Sequence, residues 1–273
     1  MPFTPSHAVV ALPFVRTPLV PAAIAIGAMT PDLPLFLRGT PLTYQATHTN
    51  VLLSTVIALG LLALWYAVLR PAVRELSPDS LARRLPAEWD GPPAFGRTGG
   101  GARTRSRLVV ALLVAVSLLV GVLSHIAWDA FTHEDRWGLR LIPALTDQWG
   151  PLPGYKWLQH GSSIVALVIL AVYGARWLSR RAPVASVTRV LPPGVRRAWW
   201  VSLPIALVVA WLIGLAVYGP LTASWTAQHL AYRVLPPACA VWGVLTLVLC
   251  LVIVLVRRRG ARARSPRAPR AVM

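Results

Sequence analysis

Imidazole and carboxylate side chains lie at the ends of the apolar segments of this sequence, where they can share one site. The densest group is in the stretch HIAWDAFTH, in which His125, Asp129 and His133 follow one another at intervals of four residues. Because four residues advance an α-helix by about 400°, these side chains project from one stripe and can converge on a single ion. Four further residues are candidates to join them: His7, Asp32, His48 and His160.

The types of these residues predict a divalent metal site. Histidine nitrogen and carboxylate oxygen are ligands of zinc and of similar divalent ions. A catalytic site takes its ligands from several segments and keeps one coordination position open for water. The candidates come from four separate parts of the chain, and neither Cys239 nor Cys250 is among them. The sequence therefore favours zinc at an open site and disfavours a closed structural site built on thiolates.

The segments that must position these residues are long and apolar. The mean hydropathy is +0.59 and 56% of the residues are hydrophobic, as expected for an integral membrane protein. A helix needs roughly 20 apolar residues to cross the hydrocarbon core. We predict an all-α polytopic membrane helix bundle with five transmembrane helices, over residues 50–69, 108–128, 157–175, 198–218 and 234–256.

The first forty residues are also apolar, but prolines interrupt them. Proline removes a backbone donor and kinks helices. We therefore expect an N-terminal pair of short or re-entrant helices, over 7–16 and 19–30, shielded by the bundle or lying in the membrane interface. Together the apolar segments predict a single membrane domain over 1–256. Its composition suggests that 70–107, rich in Pro, Gly and Arg, is a flexible cytoplasmic linker and that 257–273 is a basic, disordered cytoplasmic tail.

The net charge of +18 follows from topology rather than from nucleic-acid binding. Of the 27 basic residues, 21 lie in residues 70–107, 176–197 and 257–273, which share one side of a five-helix bundle. The positive-inside rule makes that side cytoplasmic. All six histidines then lie at the opposite, outer face. Anionic lipids are the expected partners of the arginines, and no nucleic-acid reading motif accompanies them.

Three stretches resemble one bacterial membrane family, domain of unknown function 4184: MPFTPSHAVV, GAMTPDLPLF and SHIAWDAFTH. That family is in turn similar to inner-membrane metal-dependent hydrolases and to the zinc-dependent phospholipase C and nuclease fold. The resemblance implies that Asp32, His48, His125 and Asp129 bind a first ion. It further implies that Asp129 bridges to a second ion held by His7, and that His133 and His160 hold a third.

The chain departs from that fold at two ligands. The soluble enzymes use their N-terminal amine, whereas Met1 stands six residues before His7, and they carry an acid where this chain has Ile164. Both departures concern the third ion most. Asp135 or Glu134 can replace the acid or serve as general base, and the bland interpretation of both is a loop charge. Lipid phosphatases of the phosphatidic-acid type are excluded, because the Arg they need is Leu119 here.

The sequence thus predicts a multi-pass protein of the bacterial cytoplasmic membrane, with its C-terminus in the cytoplasm. Its predicted function is metal-dependent hydrolysis of a small or lipid-linked phosphoester or ester, with Asp129 and Asp135 as catalytic residues. The alternatives are a non-catalytic membrane protein whose His/Asp cluster only ties helices together, and a transporter. A transporter usually places ionisable groups near the membrane midplane. The oligomeric state is left open.

Overall fold

A computed structural model describes residues 3–91 and 106–264 of the chain. Nearly all of the regular structure in that part is helical, which confirms the all-α class. The α-helices are α1 (Pro21–Met29), α2 (Tyr44–Thr49), α3 (Val51–Leu64), α4 (Arg70–Leu76), α5 (Asp79–Ala82), α6 (Arg107–Thr132), α7 (Trp137–Leu141), α8 (Gly154–Ser179), α9 (Pro193–Tyr218) and α10 (Ala227–Arg264). Short 3-10 helices cover Thr4–Phe14, Thr30–Leu35, Ala87–Asp90 and Pro143–Leu145, a π-helical turn covers Trp65–Leu69, and an antiparallel hairpin pairs β1 (Gln148–Trp149) with β2 (Leu152–Pro153).

Five helical segments are long and apolar enough to cross a membrane, which confirms the five predicted spans and makes this a multi-pass membrane protein. Each extends past its predicted bounds, because hydropathy marks only the part of a helix as long as the hydrocarbon core. The helix α6, for example, continues four residues beyond the predicted end at Trp128. The segments are Val51–Leu76, Arg107–Thr132, Gly154–Ser179, Pro193–Tyr218 and Ala227–Gly260.

The contacts divide the chain into two compact units. The first comprises Met1–Leu64 and Ala94–Arg181, and the second comprises Trp65–Pro93 and Ala182–Met273. All the candidate metal ligands belong to the first unit. The single membrane domain predicted over 1–256 stays a prediction, because this division concerns contacts and not independent folding.

The first unit is organised around a close crossing of α1 and α6. A stripe at intervals of four residues along α6, formed by Ser117, Gly121, His125 and Asp129, is buried. At Gly121 the backbones approach so closely that an added Cβ would lie 2.2 Å from the carbonyl oxygen of Ile24. The Ser117 hydroxyl accepts a hydrogen bond from the amide of Val20, one turn further along the same stripe. Glycine at this position therefore brings the C-terminal end of α1 against the histidine-bearing part of α6.

The N-terminal segments lie near the predicted positions and are short, as expected. The predicted helix over 7–16 is a 3-10 helix over Thr4–Phe14, and that over 19–30 is α1. Proline begins both, where its missing amide leaves no intrahelical bond unmade. Buried side-chain bonds then fix α2: the Thr47 hydroxyl donates to the carbonyl of Pro31 at 2.7 Å, and Ser54 donates to the carbonyl of Thr47 at 2.6 Å.

The segment predicted as a flexible linker, 70–107, is in fact helical over α4, α5 and Ala87–Asp90. Its arginines and acids are used inside the second unit rather than in solvent: Glu75, on α4, is fully buried and binds Arg257 on α10. Composition could not reveal these long-range partners. The remainder of the predicted linker, 92–105, lies outside the described residues.

The predicted tail also begins as helix, since α10 runs to Arg264 instead of ending at 256. Arginine has a high helix propensity, so the basic run extends the last span by two turns. The rest of the tail, 265–273, lies outside the described residues.

The crossing of α1 and α6 gives the first testable prediction. Replacing Gly121 with alanine is expected to destabilise the protein by about 3 kcal/mol, the upper end for overpacking, because backbone atoms cannot move aside. The added Cβ would meet the Ile24 carbonyl at 2.2 Å and the Ala28 amide at 2.7 Å. The thermal unfolding midpoint of the purified protein in detergent measures the effect.

The matched control is Gly174→Ala on α8, where an added Cβ meets no atom within 4 Å. Because alanine stabilises a helix relative to glycine by roughly 0.5–1 kcal/mol, this variant should unfold at the same or a slightly higher temperature. Equal midpoints for Gly121→Ala and the wild type would show that the crossing is looser than described.

Candidate metal centre

Four side chains from three separate segments meet in the interior of the first unit. Asp32 comes from the 3-10 helix after α1, His48 from α2, and His125 with Asp129 from α6. The exposed fraction of each residue is 6% or less. One ligand atom from each lies within 4.8 Å of the other three. The structure therefore brings together the four residues that the resemblance assigned to the first ion.

The separations between these atoms fit a small tetrahedral ion. The Nε2 atoms of His48 and His125 are 3.2 Å apart. The Asp129 Oδ2 atom lies 3.5 Å from His48 Nε2 and 3.3 Å from His125 Nε2. Asp32 Oδ1 is 3.7 Å from His125 Nε2. Zinc with bonds of about 2.0–2.2 Å separates its tetrahedral ligand atoms by about 3.3–3.6 Å, which is the range seen here.

The hydrogen bonds of the two histidines fix which nitrogen faces the cluster. His125 Nδ1 donates to the carbonyl of Ala28 at 2.7 Å, and His48 Nδ1 donates to the carbonyl of Tyr44 at 2.8 Å. A carbonyl only accepts, so Nδ1 carries the proton of each neutral ring and Nε2 presents a lone pair. Such backbone bonds are the usual outer support of histidines that bind metal.

The two carboxylates are oriented in the same manner. Thr4 donates its hydroxyl proton to Asp32 Oδ2 at 2.7 Å, which leaves Oδ1 facing the cluster. Tyr44 donates to Asp129 Oδ2 at 3.1 Å, and its ring stacks on His48 with centroids 3.7 Å apart. Asp32 Oδ1 and Asp129 Oδ1 are buried and make no hydrogen bond. Burial raises the pKa of Asp32, against the opposing effects of His125 and Thr4.

A cluster of this composition calls for a cation. Two imidazole lone pairs face each other and two carboxylate oxygens in a region almost closed to water. A proton on one Nε2 can satisfy one or two of these contacts, as in the interpretation that the cluster only ties helices together. A divalent ion satisfies all four at once and neutralises both carboxylates. The donor set of two nitrogens and two oxygens therefore fits zinc.

His7 lies beside this group, as predicted, on the far oxygen of Asp129. Its Nε2 is 3.7 Å from Asp129 Oδ1, is buried, and makes no hydrogen bond. The His7 ring packs on His125 with centroids 4.1 Å apart. Burial, followed by the neighbouring His125, lowers the pKa of His7 to about 3, so the ring is neutral at neutral pH. His7 thus offers a fifth lone pair next to the four-residue cluster.

His133 approaches Asp129 from the end of α6. Its Nδ1 lies 3.4 Å from Asp129 Oδ2 and 3.2 Å from the carbonyl oxygen of the same residue. Its Nε2 is 3.3 Å from the amide nitrogen of Gln159, which is fully buried on α8. Burial lowers the pKa of His133 to about 4. His133 is therefore held at the edge of the cluster by a glutamine that the sequence analysis did not single out.

The other two predicted site residues lie elsewhere in the first unit. His160 follows Gln159 on α8, and its side chain is exposed, so the structure does not bring it to the cluster. One residue rotates a helix by about 100°, which turns Gln159 inward and His160 outward. Asp135 is exposed in the turn after α6, with a φ of 60° that aspartate tolerates better than most residues. Their assigned roles stay predictions.

Sequence reasoning missed the supporting residues Thr4, Tyr44, Gln159 and Arg136. Only Tyr44 carried a signal, because it precedes His48 by four residues and shares its helix face. The guanidinium of Arg136 lies over the Tyr44 ring, 5.6 Å from its centroid, and adds a positive charge near the cluster. Thr4 meets Asp32 only through tertiary structure, which spacing along the chain does not reveal.

The comparisons with known proteins agree with the predicted family. The family model described as "Domain of unknown function (DUF4184)" matches residues 1–257, which contain every candidate ligand. Comparison with curated proteins and with solved structures found no match. The similarity to metal-dependent hydrolases stays a prediction. Because the model covers nearly the whole sequence, the chain belongs to the DUF4184 family.

Proposed function

We propose that this protein is a metal-dependent hydrolase of phosphoesters or other esters, with one divalent ion, zinc first among the candidates, bound by Asp32, His48, His125 and Asp129. One observation carries the proposal: both histidines of the cluster have their Nδ1 proton bound to a backbone carbonyl, so both Nε2 lone pairs face the two carboxylates. A protein that only needed to join helices there would be expected to pair donors with acceptors.

The surroundings of the cluster favour catalysis over a closed structural site. When bound, a divalent ion would supply Lewis-acid chemistry, polarising an ester oxygen and lowering the pKa of a water molecule to about 7. The chain places a neutral imidazole, His7, at the free oxygen of Asp129. That imidazole can accept a proton from a water held between the two groups. Tyr44 keeps the other oxygen of Asp129 in place.

Arg136 supports the same proposal from the charge of the substrate. Its guanidinium lies over Tyr44, which in turn contacts both His48 and Asp129. A phosphoester brings negative charge that two carboxylates would otherwise repel, and arginine is the side chain best suited to bind it. In this proposal Arg136 binds the phosphoryl oxygens and Asp129 orients the groups around the reacting atom.

The proposed location is the bacterial cytoplasmic membrane, with the cluster on the outer side and the C-terminus in the cytoplasm. The distribution of arginine supports it, since 21 of the 27 basic residues lie in the three segments assigned to the cytoplasm. A site at that face meets substrates of the outer leaflet or the periplasm.

Hydrolysis assays on the detergent-purified protein test the proposed function. Nitrophenyl phosphodiesters, phosphomonoesters and carboxylic esters are offered to the protein stripped of metal and then supplied with zinc, manganese or magnesium. We expect turnover only with metal, and a loss of at least about 100-fold in His48→Ala because the ion loses a ligand.

The matched control is His229→Ala, which removes an exposed histidine of α10 outside the cluster. This variant should retain wild-type turnover and metal dependence. A protein that binds its metal stoichiometrically and hydrolyses none of the three ester classes would contradict the proposal and favour the non-catalytic alternative.

A further inference from the structure

A cleft of about 400 Å³ opens beside the metal centre, between the 3-10 helix Thr4–Phe14, α6 and α8. His7 belongs to both, because its side chain lines the cleft and its Nε2 faces Asp129. That nitrogen is buried and makes no hydrogen bond, although the side chain is only 5% exposed. The cleft therefore ends at a polar group that is free to meet a ligand.

Away from His7 the cleft is apolar and follows a membrane-spanning helix. Val165, Ala166 and Ile169 of α8 line it together with Val9 and Val10. With Ser162, these α8 residues recur at intervals of three and four, so one face of the helix lines the cleft over roughly 10 Å. Val165 is 57% exposed and Ile169 is 44% exposed, so the cleft is open along its side.

The polar groups of the cleft gather at its other end. Ser6, Ser124 and Ser162 line it near His7, and the indole nitrogen of Trp128 donates to the Ser162 hydroxyl at 3.2 Å. Tryptophan and hydroxyl side chains suit the level of lipid headgroups, whereas valine, alanine and isoleucine suit the hydrocarbon. The cleft is thus divided like a lipid, with a polar end and an apolar length.

We propose that this cleft holds one acyl chain of a membrane lipid and thereby presents the phosphoester of that lipid at His7 and the metal centre. The inference rests on the proposed function and names its substrate class. A water-soluble ester would gain nothing from an apolar cleft that opens sideways on a spanning helix. The volume lies within the about 300–1,000 Å³ of typical small-ligand sites, which suits one chain rather than a protein segment.

Photolabelling in a bilayer tests the occupant directly. The wild-type protein is placed in nanodiscs that contain phosphatidylglycerol with a diazirine in one acyl chain, and the labelled peptides are identified by mass spectrometry after irradiation. We expect the label to concentrate on Val9, Val10 and the α8 residues of the cleft. In Ala166→Phe the added ring fills the cleft, and labelling there should fall by about tenfold.

The matched control is Ala171→Phe, which puts the same ring on an exposed position of α8 outside the lining of the cleft. Labelling of the cleft should be unchanged in this variant. Equal labelling of all lipid-facing helices, insensitive to Ala166→Phe, would overturn the proposal, as would a cross-link from the cleft to a second copy of the chain.

Metal content measured on the same samples separates this proposal from the proposed function. Ala166→Phe touches no candidate ligand, so it should keep its metal while losing the acyl label. Concentrated labelling in a protein that binds no metal would support the lipid site and contradict the hydrolase. Bound metal with diffuse labelling would contradict the lipid site alone.

Discussion

Replacement of His125 by alanine is expected to abolish metal binding, from about one ion per chain to none. His125 contacts each of the other three residues of the cluster: its Nε2 lies 3.2 Å from His48, 3.3 Å from Asp129 and 3.7 Å from Asp32. No other described nitrogen has this central position. Without it, two carboxylates and one imidazole remain, and the site loses the ligand that connects α6 to the end of α1.

Elemental mass spectrometry on detergent-purified protein measures this effect. His125→Ala and Asp129→Ala are compared with the wild type and with His229→Ala, whose exposed histidine makes it the control for loss of an imidazole. Helix content from circular dichroism establishes that each variant is folded. A substoichiometric metal content that the first two substitutions leave unchanged would contradict the metal centre and favour a hydrogen-bonded helix cluster.

Thermal unfolding provides a second measurement on the same proteins. An ion that binds only the folded state stabilises it by about 4 kcal/mol at a free concentration 1,000 times its dissociation constant. Zinc should therefore raise the unfolding midpoint of the wild type and of His229→Ala. It should leave the midpoint of His125→Ala unchanged, because the variant has no ion to gain.

The sequence predicted the parts of this site that depend on local spacing. The interval of four residues between His125 and Asp129 places them on one helix face whatever the tertiary structure is. Asp32 and His48 lie in other segments, and their place in the cluster came from the resemblance rather than from spacing. The five spans were predictable because a long apolar run in a membrane protein has few other structures available to it.

The remaining parts depend on tertiary contacts or on the exact start of a helix. Whether Gln159 or His160 faces the cluster depends on the rotation of α8, which a single residue changes by about 100°. The helix α4 falls in a segment rich in proline, glycine and arginine, a composition that also describes flexible linkers. Its order comes from partners more than a hundred residues away, which composition cannot show.

Those partners of α4 lead to the second prediction of large effect. Glu75 is fully buried, and its two carboxylate oxygens accept hydrogen bonds from the amides of Val190 at 3.0 Å and Leu191 at 3.1 Å. Arg257 donates to the same carboxylate at 3.1 Å. One side chain therefore ties α4 to the segment before α9 and to α10. The residues Ala72, Leu76, Cys250 and Ile253 form the apolar core beside it.

Substituting Glu75 with alanine is expected to destabilise the second unit by about 3–5 kcal/mol. The helix itself should survive, since alanine favours helix formation. The cost comes from the guanidinium of Arg257 and two buried amides, which lose their acceptor. The unfolding midpoint should fall by about 6–20 °C, given the usual relation between free energy and midpoint in proteins of this size.

The matched control is Asp79→Ala, because Asp79 also binds an arginine of the same group, Arg189, at 2.7 Å. Its side chain is 80% exposed, and solvent-exposed ion pairs contribute little, so this variant should unfold near the wild-type temperature. Equal, small effects of both substitutions would mean that water reaches Glu75 and replaces its partners. A large effect of Glu75→Ala alone would establish that the segment predicted as a flexible linker is instead an anchored part of the second unit.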